Sequence, residues 1–281
     1  MAREIKADQI TDSVKKLCIE ANIYLEEPLK AAFHKFAGLE ESGAGREVFH
    51  ILEENAAIAE REKMPVCQDT GITIVFVKIG QDAHVIGGGI EDAINEGVRQ
   101  GYKEGYLRKS VLSDPIERKN TNDNTPAVIY YEIVPGDALL IEVAPKGGGS
   151  ENMSAIKMLK PSQGIEGVKE FVVDTVLKAG PNPCPPIIVG VGIGGTFEKA
   201  ALLSKKAVLR PFGKSNPDEK KAALENELLV LINKTGIGPA GFGGRITAMQ
   251  VNVETYPCHI ASLPVAVNIQ CHASRHKSVM L

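Results

Sequence analysis

The run CPPIIVGVGIGGTFEKAALLSKKA at 184–207 changes from one kind of secondary structure to another within a few turns of chain. Its first part, 187–191, is β-branched, short and preceded by prolines, which reads as a buried strand. GIGG follows at 192–195, and from Thr196 to about Ala207 the residues are good helix formers without a breaker. A strand passing through a glycine turn into a helix makes the chain mixed α and β.

Reading outward, residues 4–62 are expected to be mainly helical. Apolar residues recur at spacings of three and four in Ile10, Val14, Leu17 and Cys18, and again in Val48, Ile51, Leu52 and Ile58. Asp8 or Thr11 is expected to cap the first helix, and Pro65 to end the helical region. ITIVFVKI at 72–79 reads as a strand, and 90–106 as a helix despite its glycines. Segments 127–134 and 138–145, separated by Pro135-Gly136-Asp137, read as a hairpin. KGGGS at 146–150 reads as a turn, 165–178 as a helix, and the residues after Pro217 as a long helix with Asp218 and Glu219 in its first turn. Strand-like runs at 246–254 and 263–269 follow. No repeat, low-complexity linker or charge block divides the chain. Residues 1–281 are therefore expected to form one domain, about 1–62 mainly helical and 63–281 mixed sheet and helix.

Composition narrows the function classes. The 281 residues carry 32 Lys+Arg against 35 Asp+Glu, a formal net charge of −3, which gives little drive toward nucleic acid or anionic lipid. Trp is absent and aromatic residues total 5%, so a base-stacking platform is not expected. No apolar run approaches the roughly 20 residues of a membrane span, and the charged, amphipathic start is unlike a signal peptide. The expected location is cytoplasmic. Five widely spaced cysteines in such a chain argue against a disulfide framework, and no C-x-x-C pair is present. Buried thiol, catalytic thiol and metal ligand remain open by spacing.

Several motifs point elsewhere. Gly190, Gly192 and Gly195 satisfy G-x-G-x-x-G, but VLRPFGKSNP at 208–217 lacks the acid that dinucleotide binding needs at the next strand end. A nicotinamide-dependent oxidoreductase is thus an alternative without its second signature. Asp69-Thr70-Gly71 lacks the second aspartate of an aspartic protease. Gly213-Lys214-Ser215 has Val208 where a P-loop needs glycine. The sequons at Asn152 and Asn233 carry no weight in a chain without an export signal. Cys258-His259, Cys271-His272 and His276 leave a zinc-binding module as a further alternative. Three other placements are more unusual. Cys67 precedes the polar loop Gln68-Asp69-Thr70-Gly71, Cys184 stands between prolines, and Cys271 lies in CHASRH. Three thiolates from distant loops would hold an iron–sulfur cubane by three corners and leave one iron open as a Lewis acid.

At these residues the sequence resembles the α-subunit, or N-terminal half, of the class I (iron–sulfur) fumarate hydratases and the related L-tartrate dehydratases. The markers are PVCQDTG (65–71), LRKS (107–110), KGGGSEN (146–152), CPPIIVGVGIGGTFEKAALLSKKA (184–207), GPAGFGG (238–244), YPCHIASLPVAV (256–267) and the terminal CHASRH. The resemblance covers nearly the whole chain. It implies a mixed fold of antiparallel sheets surrounded by helices, and a [4Fe–4S] cluster on Cys67, Cys184 and Cys271 with one iron not held by cysteine. It places Gln68, Asp69, Arg108, a glycine of the 147–149 loop (Gly148 and Gly149 foremost) and His259 near a small dicarboxylate substrate. It makes Asp69, oriented by His259, the group that delivers a proton to the leaving hydroxyl. Cys258 is not counted as a ligand, and Cys18 reads as core. The implied reaction is reversible hydration of fumarate to malate. Tartrate dehydration is the alternative, and the KGGGSEN loop favours fumarate. Because the chain stops just after CHASRH, a separate β-subunit in an α2β2 assembly is expected to complete an oxygen-sensitive enzyme.

Overall fold

A computed structural model describes residues 3–281. The order of elements is β1 (Arg3–Lys6), α1 (Ala7–Ile23), α2 (Glu27–Leu39), α3 (Gly43–Glu62), β2 (Ile72–Gly80), β3 (Ala83–Ile86), α4 (Ile90–Glu104), β4 (Val128–Val134), β5 (Leu139–Lys146), α5 (Gly148–Glu151), β6 (Ala155–Leu159), α6 (Gly164–Ala179), β7 (Ile187–Gly194), α7 (Phe197–Ala207), α8 (Glu219–Asn233), β8 (Ala248–Tyr256), β9 (Leu263–Gln270) and β10 (Lys277–Met280). The chain forms two compact units of interleaved segments, crossing between them after Leu25, Asn55, Gly148 and Ser274. Among the described residues no helix is long and apolar enough to cross a membrane.

The first unit holds a four-stranded sheet of order β10-β5-β2-β4 and a short parallel pair, β1-β3. The periodicity of α1 resolves as a buried face. Ile10, Val14 and Cys18 have no exposed surface and pack with Ile94, Val98 and Tyr102 of α4 and with Val75, Val77, Ile141 and Val143 of the sheet. Each such aliphatic side chain contributes about 1.5–3 kcal/mol by leaving water. The glycines of α4 have a packing reason: a Cβ at Gly97 would lie 2.6 Å from the Thr11 carbonyl oxygen.

The hairpin expected at 127–145 is not formed. β2 lies between the two strands, parallel to β4 and antiparallel to β5. Burial explains the insertion. Ile74, Val75, Phe76 and Val77 of β2 are all buried, so this strand needs partners on both edges, whereas β4 is mostly exposed and suits an edge. The 135–138 turn wraps the end of β2 instead, with Gly80 N–H donating to the Ala138 carbonyl and Asp82 N–H to that of Gly136.

The second unit has a sheet of order β6-β9-β7-β8. Its core joins Val172 and Val176 of α6, Leu228 and Ile232 of α8, and Val189, Val191, Val253, Val265 and Ile269 of the strands. The mixed α and β class expected from the sequence is present. Each four-stranded sheet is itself mixed, combining one parallel pair with antiparallel ones. The G-x-G-x-x-G glycines find their reason here. Gly190 and Gly192 lie within β7, where a Cβ would stand 2.2 Å from the Ser204 carbonyl oxygen and 2.1 Å from that of Ala200 in α7. They admit a helix against a strand and do not form a phosphate-binding turn.

Smaller differences have local causes. α1 starts after Lys6, whose backbone N–H is taken by the Gln9 side chain, so neither Asp8 nor Thr11 is the cap. Asp218 caps α8, its carboxylate accepting from Lys220 and Lys221 N–H. In α3 the buried positions are Gly45, Phe49, Ala56 and Ala59, and Ile51 is exposed.

Candidate functional site

In the first unit the site is the loop between α3 and β2. Val66 N–H donates to the Asn22 carbonyl, and the chain then turns through Cys67, Gln68, Asp69, Thr70 and Gly71. The Asp69 carboxylate is fixed at both oxygens: Oδ1 accepts from Gly71 N–H at 3.0 Å and Oδ2 from Gly148 N–H at 2.8 Å. Asp69 N–H points at Cys67 Sγ, 3.4 Å away, and that thiol reaches Gln68 Oε1 at 3.4 Å. Gly71 has φ +74°, and a Cβ there would stand 2.6 Å from Lys146 backbone atoms, so only glycine fits.

The loop is held from below by groups without spare freedom. The buried Tyr102 hydroxyl donates to the carbonyls of Thr70 (2.7 Å) and Gly71 (3.1 Å). Asn124, also buried, donates to the Gly71 carbonyl and accepts from Ser110 N–H. Thr70 Oγ1 accepts from Arg108 N–H at 2.9 Å and donates to the Arg108 carbonyl at 3.2 Å. Arg275 Nη1 donates to the Asp69 carbonyl at 2.6 Å and to Asn22 Oδ1 at 3.0 Å. The backbone of Arg108 is therefore locked to the Asp69 loop while its side chain stays exposed, with no partner among the described residues. Gln68 is exposed, Asp69 half-buried and Gly148 exposed. Four of the residues expected near a substrate thus sit together in this unit.

The second unit carries Cys184, Cys271, Gly149 and His259. Cys184 is exposed and has φ +57°, a left-handed conformation rare outside glycine that costs on the order of 1–3 kcal/mol. Its loop is tied down at several points: Cys184 N–H donates to the Pro181 carbonyl, and Ala240 N–H of the glycine-rich 238–244 loop to the Pro185 carbonyl. His272 Nδ1 stands 3.2 Å from the Cys184 carbonyl oxygen, so the loops of Cys184 and Cys271 adjoin. Gly149 also faces this loop: a Cβ there would be 3.1 Å from the Asn182 carbonyl oxygen. His259 is exposed in a turn after β8, beside a groove of about 510 Å³ lined also by Thr196, Lys199 and Tyr256. Its Nδ1 accepts from Ala261 N–H at 3.1 Å, which leaves the ring proton of the neutral form on Nε2. Within the first unit the Gly71 and Gly148 amides orient Asp69.

The five cysteines divide by environment. Cys18 has no exposed surface, and burial pushes its thiol up to about 12, so it is inert core. Cys67, Cys184, Cys258 and Cys271 lie in loops, half-buried or exposed. Among the described residues no three His, Cys, Asp or Glu side chains converge as for a bare metal ion. A thiolate-held group fits the donor chemistry of Cys67, Cys184 and Cys271: each is a thiol in a loop, outside the apolar core, and Cys184 is held at φ +57°. Tyr102, Asn124 and Arg275, which build the Asp69 loop together with Thr70 of PVCQDTG, are not among the residues expected at the site. Only the buried spacing of Tyr102 with Ile94 and Val98, and the place of Arg275 within CHASRH, mark them in the sequence.

Comparison with known proteins bears on this arrangement. Residues 11–280 match the family model described as fumarate hydratase (Fumerase). A protein of Methanocaldococcus jannaschii named "Putative L(+)-tartrate dehydratase subunit alpha" is 47% identical over 274 residues, covering 95% of each chain. The L(+)-tartrate dehydratase subunit alpha of Escherichia coli K12 is 36% identical over 245 residues, 86% of this chain and 80% of the other, and that of Escherichia coli O157:H7 matches to the same extent.

Proposed function

The chain belongs to the fumarate hydratase (Fumerase) family of hydro-lyases, and on that premise we propose that it is the α-subunit of a two-subunit iron–sulfur enzyme that reversibly hydrates fumarate to L-malate. The observation that carries this reading is the Asp69 loop, where a carboxylate held by two backbone amides stands beside a loop thiol and a locked arginine. Cys67, Cys184 and Cys271 would hold a [4Fe–4S] cluster. When bound, its open iron supplies Lewis acidity toward a substrate hydroxyl.

This chain's own residues account for recognition and for one proton. Arg108, exposed and anchored through its backbone, pairs bidentately with a substrate carboxylate. Gln68 offers an amide donor and acceptor on the same loop. In dehydration the C3–H bond breaks and its electrons form the C2=C3 double bond as the C2–O bond breaks. Asp69 delivers a proton from its carboxyl oxygen to the departing hydroxyl, which leaves as water, and regains one from solvent. Its two amide hydrogen bonds, one to each oxygen, hold the carboxyl group in place, which is the advantage of a preorganised acid over a mobile one. His259, with the Nε2 proton outward, is a second proton carrier. The base that takes the C3 proton, and further carboxylate-binding groups, come from a β-type subunit, as the "subunit alpha" in the names of the relatives supports. The assembly we propose is α2β2.

The same relatives favour a second reading, dehydration of L(+)-tartrate, which differs from malate only in a second hydroxyl. The KGGGSEN loop at 146–152, which resembles the fumarase form, favours fumarate. Anaerobic co-expression with the β-type subunit, followed by kcat/KM on L-malate and L(+)-tartrate, decides between them. A larger value for malate is expected, and a larger value for tartrate reverses the order.

A further inference from the structure

Arg275 is 2% exposed, yet among the described residues it pairs with no carboxylate. Among the described residues its side-chain hydrogen bonds come from Nη1 alone, to the Asp69 carbonyl and Asn22 Oδ1, and its Nε is buried without an acceptor. A guanidinium taken out of water without a carboxylate in direct contact is costly, and an orphaned charged donor adds to the cost. The unpaired side is the buried Nε–Nη2 edge, the planar fork that matches a carboxylate. Gly147 shows where that edge leads: the point a Cβ on Gly147 would occupy is 3.4 Å from Arg275 Nη2 and 3.0 Å from Asp69 Oδ2. Gly147 is not in the left-handed region, so glycine is not demanded there by the backbone; it is buried, and a Cβ on it would crowd Asp69 Oδ2, so the missing side chain is what lets the loop pass this close to both groups.

We propose that Arg275 is a further substrate-binding residue, a buried cation on the Gly147 face of the Asp69 loop that receives a carboxylate of a dianionic ligand. The inference rests on the reading of the protein as a dicarboxylate hydro-lyase and names a second cation for its substrate beside Arg108. By holding the Asp69 carbonyl through Nη1, Arg275 also couples ligand charge to the position of Asp69.

The test uses succinate, an unreactive dicarboxylate, titrated calorimetrically into the anaerobic, cluster-loaded complex of this chain with its partner subunit. R275Q is expected to weaken succinate binding about tenfold or more, the scale of a charged hydrogen-bonded contact, and R275K to fall between wild type and R275Q. G147A, which fills the space beside Nη2, is expected to weaken it also, with iron and sulfide content unchanged in all three. Equal loss in R275K and R275Q, or wild-type binding in R275Q, overturns the proposal. Should R275Q fail to fold, R275K and G147A that bind succinate like wild type overturn it equally. A wild-type complex that binds no dicarboxylate overturns the functional reading and this inference together; wild-type binding with unaffected variants overturns the inference alone.

Discussion

Asp69 concentrates the account at the scale of single residues. Both its oxygens are committed to backbone amides, so Asp69→Asn keeps the loop's outline but places an amide nitrogen against one N–H donor and removes the transferable proton. The expected result is a loss of about 10²–10⁴ in kcat with a much smaller change in melting temperature. The cysteines give a second expectation. Cys67→Ser, Cys184→Ser and Cys271→Ser each lose iron and sulfide on anaerobic reconstitution while Cys258→Ser retains them, and equal loss in all four would show the ligand choice to be wrong. Cys18 behaves differently again. Burial raises its pKa from 9.0 to about 12, so the stabilisation of its neutral thiol is complete below pH 9 and is lost only as pH rises toward 12. A thiol reagent at pH 8 should leave Cys18 unmodified until the protein is unfolded. At this scale the sequence was legible where chemistry is written in residue type, as in a thiol between two prolines or an arginine in LRKS. Arg275 was not legible, because nothing in its neighbours shows that a charged side chain just before the last strand is buried against Asn22 and Asp69.

Elements show what pattern can and cannot reveal. The helical face of α1 was readable because four apolar residues at helical spacing all enter the core. The strands β4 and β5 were also readable, yet their pairing was not: a turn such as Pro135-Gly136-Asp137 fits a hairpin locally, and only the all-buried β2 inserting between them decides the sheet. The short strands β1, β3, β6 and β10 span too few residues to show a period. Glu40, at the end of α2, is another element-scale device without a sequence signal. Its buried carboxylate accepts from Ser42, Arg245 and Ile246 N–H and so pins the segment after the 238–244 glycines. Burial alone would raise its pKa, but these donors outweigh burial and hold it below the ordinary 4.5. A depressed carboxylate stabilises above its unfolded pKa, and that stabilisation is lost as pH falls through the folded value. Glu40→Gln should therefore lower stability by roughly 1–3 kcal/mol near neutrality, with the gap to wild type closing below pH about 4.5. Gly192→Ala should be at least as damaging, since its Cβ would overlap the Ala200 carbonyl and push α7 off β7. Chemical denaturation of each variant measures both effects.

For the molecule as a whole, the two cores have separate residue sets, and the chain crosses between the units four times, after Leu25, Asn55, Gly148 and Ser274. The absence of a linker-like stretch in the sequence is understandable in those terms, because each crossing lies within or beside an ordered element such as α3 or α5. The residues carried over from the family resemblance are shared between the units: Cys67, Gln68, Asp69, Arg108 and Gly148 in one, Cys184, Cys271, Gly149 and His259 in the other. Exposure of a loop-held cluster with an open iron should make activity fall in air and return on anaerobic treatment with iron, sulfide and a thiol reductant. The central claim is that this chain binds the cluster and shares one dicarboxylate site with a β-type subunit. The most direct measurement is the rate of fumarate formation from L-malate, with iron and sulfide determined on the same anaerobic sample, for this chain alone and after adding that subunit. Iron and sulfide bound to this chain, near-zero activity alone and rapid turnover on mixing are the predicted result. Colourless protein with no bound iron after reconstitution, or full activity without the second subunit, would contradict it.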